Sequence, residues 1–158
     1  MPSRTAASEG TADPFEAAAV RYLARRERTE AQVKTYLSRA GAPASRIRAL
    51  LSRLREHGYI DDEAYAVRWA QARLARRPMG QARLEAELLA KGFERATVAR
   101  VLRQVYDELN QRDLARALLV RRLGRQQSSD RRRGASLLRR HGFDEEVIDE
   151  LFGVSESP

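Results

Sequence analysis

The pattern that most constrains this chain is a repeat of about fifty residues. At an offset of 51, Leu37 falls on Leu88, Gly41 on Gly92, Ile47 on Val98 and Leu51 on Leu102. A further offset of 50 carries Leu88 to Leu138, Gly92 to Gly142, Phe93 to Phe143, Val98 to Ile148 and Leu102 to Phe152. Three copies that keep one glycine and one apolar face describe an array of similar supersecondary units. Within each copy the apolar period is helical. "SRIRALLSRLREHG" sets Ile47, Leu50, Leu51 and Leu54 on one face, and "RATVARVLRQVYDE" does the same with Val98, Val101, Leu102 and Val105. Alternating Val/Ile/Thr runs are missing, so the fold class is all-α.

Three helices fit each copy. The spacing predicts helices over 14–27, 30–40 and 45–57, then 62–77, 81–91 and 95–109, then 111–124, 129–141 and 145–152. Residues 1–13 read as a disordered arm, 14–58, 59–109 and 110–153 as three-helix repeats, and 154–158 as a disordered tail. The repeated glycines end helices in the left-handed conformation that a Cβ strains. Phe93 with Val98 and Phe143 with Ile148 have hydrophobic-staple spacing around the following helix start, and Ile60 with Tyr65 is a third such pair. Pro78 and Gly80 stop the long middle helix of the chain.

The acidic run Asp61-Asp62-Glu63 invites a metal-centre reading, but its position argues for a helix cap. With Asp61 as N-cap, Asp62 and Glu63 fall in the first turn, where the dipole favours negative charge. Adjacent helical residues point about 100° apart, so the three carboxylates do not converge on one ion. No metal site is expected. His57 and His141 precede helix-ending glycines, where an imidazole can bond to free carbonyls. Phosphate-loop, dinucleotide, nucleophile-elbow and zinc-protease motifs are all missing, so the chain reads as no enzyme, with no catalytic residues and no cofactor. Tyr59, Tyr65 and Trp69 read as packing residues, with Tyr59, in its turn, the candidate exception.

The net charge is +8, and 28 of the 30 basic residues are arginine. Its distribution matters more than its size. Between Gln111 and Gly142 ten arginines stand against two aspartates, a local excess of eight that equals the charge of the whole chain. Such a patch suits a polyanion or an acidic protein surface. Cysteine is missing, which excludes disulfides and thiolate metal sites and fits a reducing, cytoplasmic setting. The N-terminal "MPSRTAASEGTADP" has no apolar core of a secretory signal, and no apolar run approaches a membrane span.

From Gly58 to Phe93, "GYIDDEAYAVRWAQARLARRPMGQARLEAELLAKGF", the sequence resembles the RecX family of recombinase regulators. The family's turn and helix motif is carried by Gly58, Tyr59, Ile60, Asp61, Asp62, Tyr65, Ala66, Gly80, Arg83, Leu84, Glu87, Leu88, Lys91 and Gly92. "LARRERTEAQVKTYLSRAG" and "LLRRHGFDEEVI" extend the likeness over residues 15–152. Tyr65 and Phe93 stand where the family often has Phe and Ile. The resemblance implies three tandem three-helix repeats in a curved, elongated array. It also implies binding along the groove of the RecA–single-stranded DNA filament, restraint of strand exchange, ATP hydrolysis and co-protease stimulation, and thus a place in DNA repair and the SOS response, as a monomer and without cofactor. The motif does not separate binding from packing residues. The candidate contacts are Arg73, Arg76, Arg77, Arg83, Lys91, Arg131, Arg132, Arg133, Arg139 and Arg140. Arg131–133 open a predicted helix, where the dipole disfavours cations, so an external anion would explain them. Two other classes fit the pattern: a direct DNA-binding regulator of helix-turn-helix type, and a protein scaffold whose charge is incidental.

Overall fold

The computed structural model describes residues 12–127 and 130–153; the arm up to residue 11, Ser128, Ser129 and the tail 154–158 lie outside the described residues. The described residues form helices and turns only. In chain order the helices are α1 (Pro14–Arg25), α2 (Glu30–Arg39), α3 (Ala44–Glu56), α4 (Asp62–Arg76), α5 (Gln81–Lys91), α6 (Arg95–Glu108), α7 (Gln111–Gln127), α8 (Arg131–Arg140) and α9 (Glu145–Phe152). α7 is broken at Gly124, whose φ of 76° and ψ of 163° are not helical. The chain divides into two compact units, Met1–Ile60 and Asp61–Pro158.

Each group of three helices closes its own core. In the first unit Ala19, Val33, Leu37, Ile47, Leu50 and Leu54 come together from α1–α3, joined by Ile60. In the second unit one core gathers Ala66, Ala70, Leu74, Leu84, Leu88, Val98, Val101 and Val105 from α4–α6. Another gathers Ala115, Leu118, Leu119, Leu138, Phe143, Val147 and Ile148 from α7–α9. Residues one repeat apart share the same burial: Val33 and Leu84, and Leu37, Leu88 and Leu138, are fully enclosed.

The repeat also shows in the backbone hydrogen bonds. The amide N–H of Ala42, Phe93 and Phe143 donates to the carbonyl of Leu37, Leu88 and Leu138, at 3.1, 3.3 and 3.1 Å. This is the six-to-one bond of a Schellman turn, and it needs a left-handed residue between the helix and the donating amide. Gly92, at φ 104°, supplies it in the second copy. Phe93 and Val98 then bury in one core, and Phe143 and Ile148 in another, as staple spacing predicts. The third pair behaves differently. Ile60 enters the first core, while Tyr65 packs edge-on against Phe93 in the second, with ring centroids 5.4 Å apart.

Asp61 is the N-cap of α4, its carboxylate accepting the Ala64 N–H at 3.1 Å. Glu63 faces Arg100 across to α6 at 3.1 Å. Asp61 and Glu63 are therefore engaged in the fold itself, and the cap reading holds. Thr29, fully buried, builds a reciprocal capping box with Gln32 at the start of α2.

Candidate functional site

The second unit joins its two helix groups by a seam of bare backbone. Gly80 N–H donates to His141 O at 2.8 Å and Ala82 N–H to Gly142 O at 3.2 Å. The free amides at the start of α5 thus meet the free carbonyls at the end of α8, each end supplying what the other lacks. Only glycine permits this approach. A Cβ on Gly80 would lie 2.2 Å from the Gly142 carbonyl, and one on Gly142 would lie 2.4 Å from the Arg83 amide. Pro78–Gly80 is therefore more than a helix stop. Tyr106, on α6, fixes the same turn by donating its buried hydroxyl to Met79 O at 2.9 Å. Burial there pushes its phenol up, with Asp144 adding to the effect.

Beside the seam lies a cavity of about 360 Å³ whose lining includes Arg73, Arg77, Arg83, Arg121, Arg122 and His141. Arg73 makes a two-pronged ion pair with Glu87, at 2.6 and 3.0 Å, and Arg83 reaches the same carboxylate at 3.5 Å. The Arg73 hydrogen bonds hold the Glu87 carboxyl below its usual range. Arg121 donates to Arg76 O at 2.7 Å across the seam. His141 donates from Nδ1 to Leu137 O at 2.9 Å, the carbonyl role expected of a histidine at a helix end. Met79 and Leu118 add an apolar wall.

A second, more open cleft of about 570 Å³ is lined by Arg132, Arg133 and Arg140 with Ser136, Leu123 and Leu137. The other α8 arginines are engaged by the protein's own acids and carbonyls. Arg131 bonds Asp149 at 3.2 Å and the carbonyls of Phe152, at 3.3 Å, and Gly153, closing the end of α9. Arg139 grips Glu145 with two bonds, one of 3.0 Å between Nη2 and Oε2, which lowers that carboxyl's pKa. Arg133 pairs with Asp130 at 3.7 Å, and Asp130 also caps α8 through the Arg133 amide. The cations that open α8 are thus compensated by the protein's own anions at Arg131 and Arg133. The external anion invoked from sequence is not required at those two positions.

Of the ten candidate contacts, the fold gathers Arg73, Arg77 and Arg83 in the first cleft and Arg132, Arg133 and Arg140 in the second. Arg76 is exposed and lends only its carbonyl to the seam. Lys91 lies apart, its ammonium 5.5 Å from the Tyr65 ring and 5.4 Å from that of Trp69. Those two rings pack partly against the second core, while Tyr59 is 52% exposed. Arg121, Arg122 and His141 were missed as site residues. Arg121 and Arg122 count in the basic stretch, but nothing local shows that they face residues forty positions earlier. Among the described residues no group of three or more acids, histidines or cysteines could hold a metal, and no helix is long and apolar enough to cross a membrane.

An all-α protein of three-helix units with arginine-lined clefts is a recognisable class, and comparison places it. Family models for the first and the second three-helix domain of RecX match residues 17–54 and 61–102. The regulatory protein RecX of Thermobifida fusca (strain YX) is 32% identical over 145 residues, covering 90% of this chain and 78% of that protein. Its counterpart from Streptomyces coelicolor is 33% identical over 150 residues, with 90% and 79% covered. The crystal structure of RecX from Lactobacillus salivarius superposes with a TM-score of 0.74 over 87% of this chain and 91% of that one, at 21% identity, which speaks for the fold alone. The chain belongs to the RecX family.

Proposed function

We propose that this chain regulates a RecA-type recombinase in the cytoplasm, binding the RecA–single-stranded DNA filament and restraining its strand exchange, ATP hydrolysis and co-protease stimulation. It would serve DNA repair and the SOS response, as a monomer, without cofactor and without catalysis of its own. Residues 14–58, 59–109 and 110–153 are read as its three repeats. The observation that carries the reading is family membership across both matched domains. The arginine clefts support it, since guanidinium groups suit both strand phosphates and acidic protein groups. Arg132 and Arg140 are the α8 contacts to favour, because both are exposed and line the open cleft, whereas Arg131 and Arg139 are engaged with α9.

The test is RecA-dependent ATP hydrolysis on single-stranded DNA with and without this protein. Suppression well below one molecule per RecA monomer is expected, weakened in Arg132→Gln/Arg140→Gln. ATP hydrolysis untouched at equimolar protein, together with tight sequence-specific binding of free duplex, would replace this reading with that of a transcription regulator.

A further inference from the structure

We propose that the cleft beside the Gly80–Gly142 seam is a phosphoryl-anion site whose ligand clamps the third repeat onto the second. The inference does not rest on the recombinase reading and would hold for a chain that met no filament. Five arginines line one cavity of about 360 Å³, a volume that admits a phosphate or a short polyphosphate chain. They come from both sides of the seam: Arg73, Arg77 and Arg83 from the α4–α5 side, Arg121 and Arg122 from α7. The one carboxylate bonded to them, Glu87, is already shared between Arg73 and Arg83. Arg77 and Arg122 carry no ion pair among the described residues.

Charge and geometry select the ligand class. Three guanidiniums remain without an acid, so a single carboxylate, with one charge and two oxygens, undersupplies them. A phosphoryl group offers up to two charges and three oxygens, and arginine's planar fork matches its edges. The donors are partly fixed in advance: Arg73 and Arg83 by Glu87, and Arg121 by the Arg76 carbonyl. Less ordering is then lost on binding. Without a ligand, like charges press the two sides of the seam apart; with one, both sides share an anion.

Two sources present this chemistry: successive phosphodiesters of a strand, which together supply the charges and oxygens that one alone lacks, and a free polyphosphate. The whole chain is titrated, at low chloride and followed by thermal melting and calorimetry, with inorganic pyrophosphate, ATP, an oligo-dT strand and polyglutamate. Pyrophosphate should raise Tm by several degrees, because a ligand of the folded state stabilises it. Arg77→Gln/Arg122→Gln should weaken that binding at least tenfold. The same variant should melt no lower than the parent in anion-free buffer, since it removes repulsion rather than a contact. Arg103→Gln, an exposed charge on α6, serves as control and should bind as the parent does. Oligo-dT outcompeting pyrophosphate and ATP assigns the site to a strand; the reverse order assigns it to a free polyphosphate. Polyglutamate binding as tightly as pyrophosphate overturns the proposal. So does an equal loss in Arg103→Gln, which would reduce the effect to general screening.

Discussion

The middle helices of the three repeats begin at equivalent positions, Thr29, Gly80 and Asp130, and they solve the same problem in two ways. Thr29 and Asp130 turn their side chains back onto their own helices, accepting from Gln32 and Arg133 amides. Gly80 has no side chain to offer, and α5 instead gives amides to the carbonyls that end α8. The first arrangement closes a helix with its own sequence. The second leaves it dependent on a neighbour, and so couples two repeats. Small sequence differences within one repeat frame therefore decide whether a helix end is closed by its own side chain or by a neighbouring repeat.

The comparison can be broken most decisively at Gly80. Gly80→Thr copies the first repeat's cap, and in an isolated helix it would stabilise. The backbone poses no objection, at φ −80° and ψ 169°. The objection is the Gly142 carbonyl 2.2 Å from the new Cβ. Urea denaturation should show a loss of about 3 kcal/mol or more, the combined cost of a forced backbone contact and two broken hydrogen bonds. A neutral or stabilising outcome would mean that the seam does not form in solution. Thr29→Ala is the mirror experiment. It removes a buried, reciprocal cap and should cost about 1–2 kcal/mol, measured the same way.

These two positions also show what was legible in the sequence. Threonine followed three residues later by glutamine is a local signal, as is the acidic cap at Asp61. The Schellman glycines, the apolar faces and the staples at Phe93 and Phe143 are equally local, and they appear where the fifty-residue period sets them. The seam is not local. "RRPMGQ" reads as a helix stop because nothing within it says that Gly80 is a glycine for the sake of Gly142. The same holds for the arginines. Composition shows an excess of cations but not which are already matched, and Asp149, Glu145 and Asp130 absorb Arg131, Arg139 and Arg133 at separations of eighteen, six and three residues. Arg121 and Arg122 joined the first cleft only once the seam had brought α7 beside the end of α4.

Asp61 extends the comparison to the start of α4, another self-capped end. Asp61→Ala should cost about 1 kcal/mol in urea denaturation, less than the fully buried Thr29 cap because Asp61 is exposed. Mg²⁺ or Mn²⁺ should not shift the melting temperature of the parent. A metal-dependent shift that disappears in Asp61→Ala would restore the metal-centre reading of this acidic run.

The smallest effect concerns how the first two helices of each repeat touch. At the 51-residue offset, Tyr22 and Tyr36 correspond to Arg73 and Glu87. In the first unit the rings stack, with centroids 4.2 Å apart and planes within 2°; in the second an ion pair takes their place at 2.6 Å. The stack has no carboxylate, whereas the ion pair has one held below its usual pKa, first by the Arg73 hydrogen bonds. A depressed carboxyl stabilises fully above its unfolded pKa, and that contribution is lost as pH falls through the lower folded value. Glu87→Gln should therefore cost less than about 1 kcal/mol at neutral pH, since both side chains keep roughly a quarter of their surface in water. The gap between parent and variant should close below the usual carboxylate range. Tyr36→Leu should show a deficit independent of pH across the same interval. A Glu87→Gln deficit that persisted unchanged into acid would mean that the carboxylate's charge contributes nothing and that Arg73 is held by packing alone.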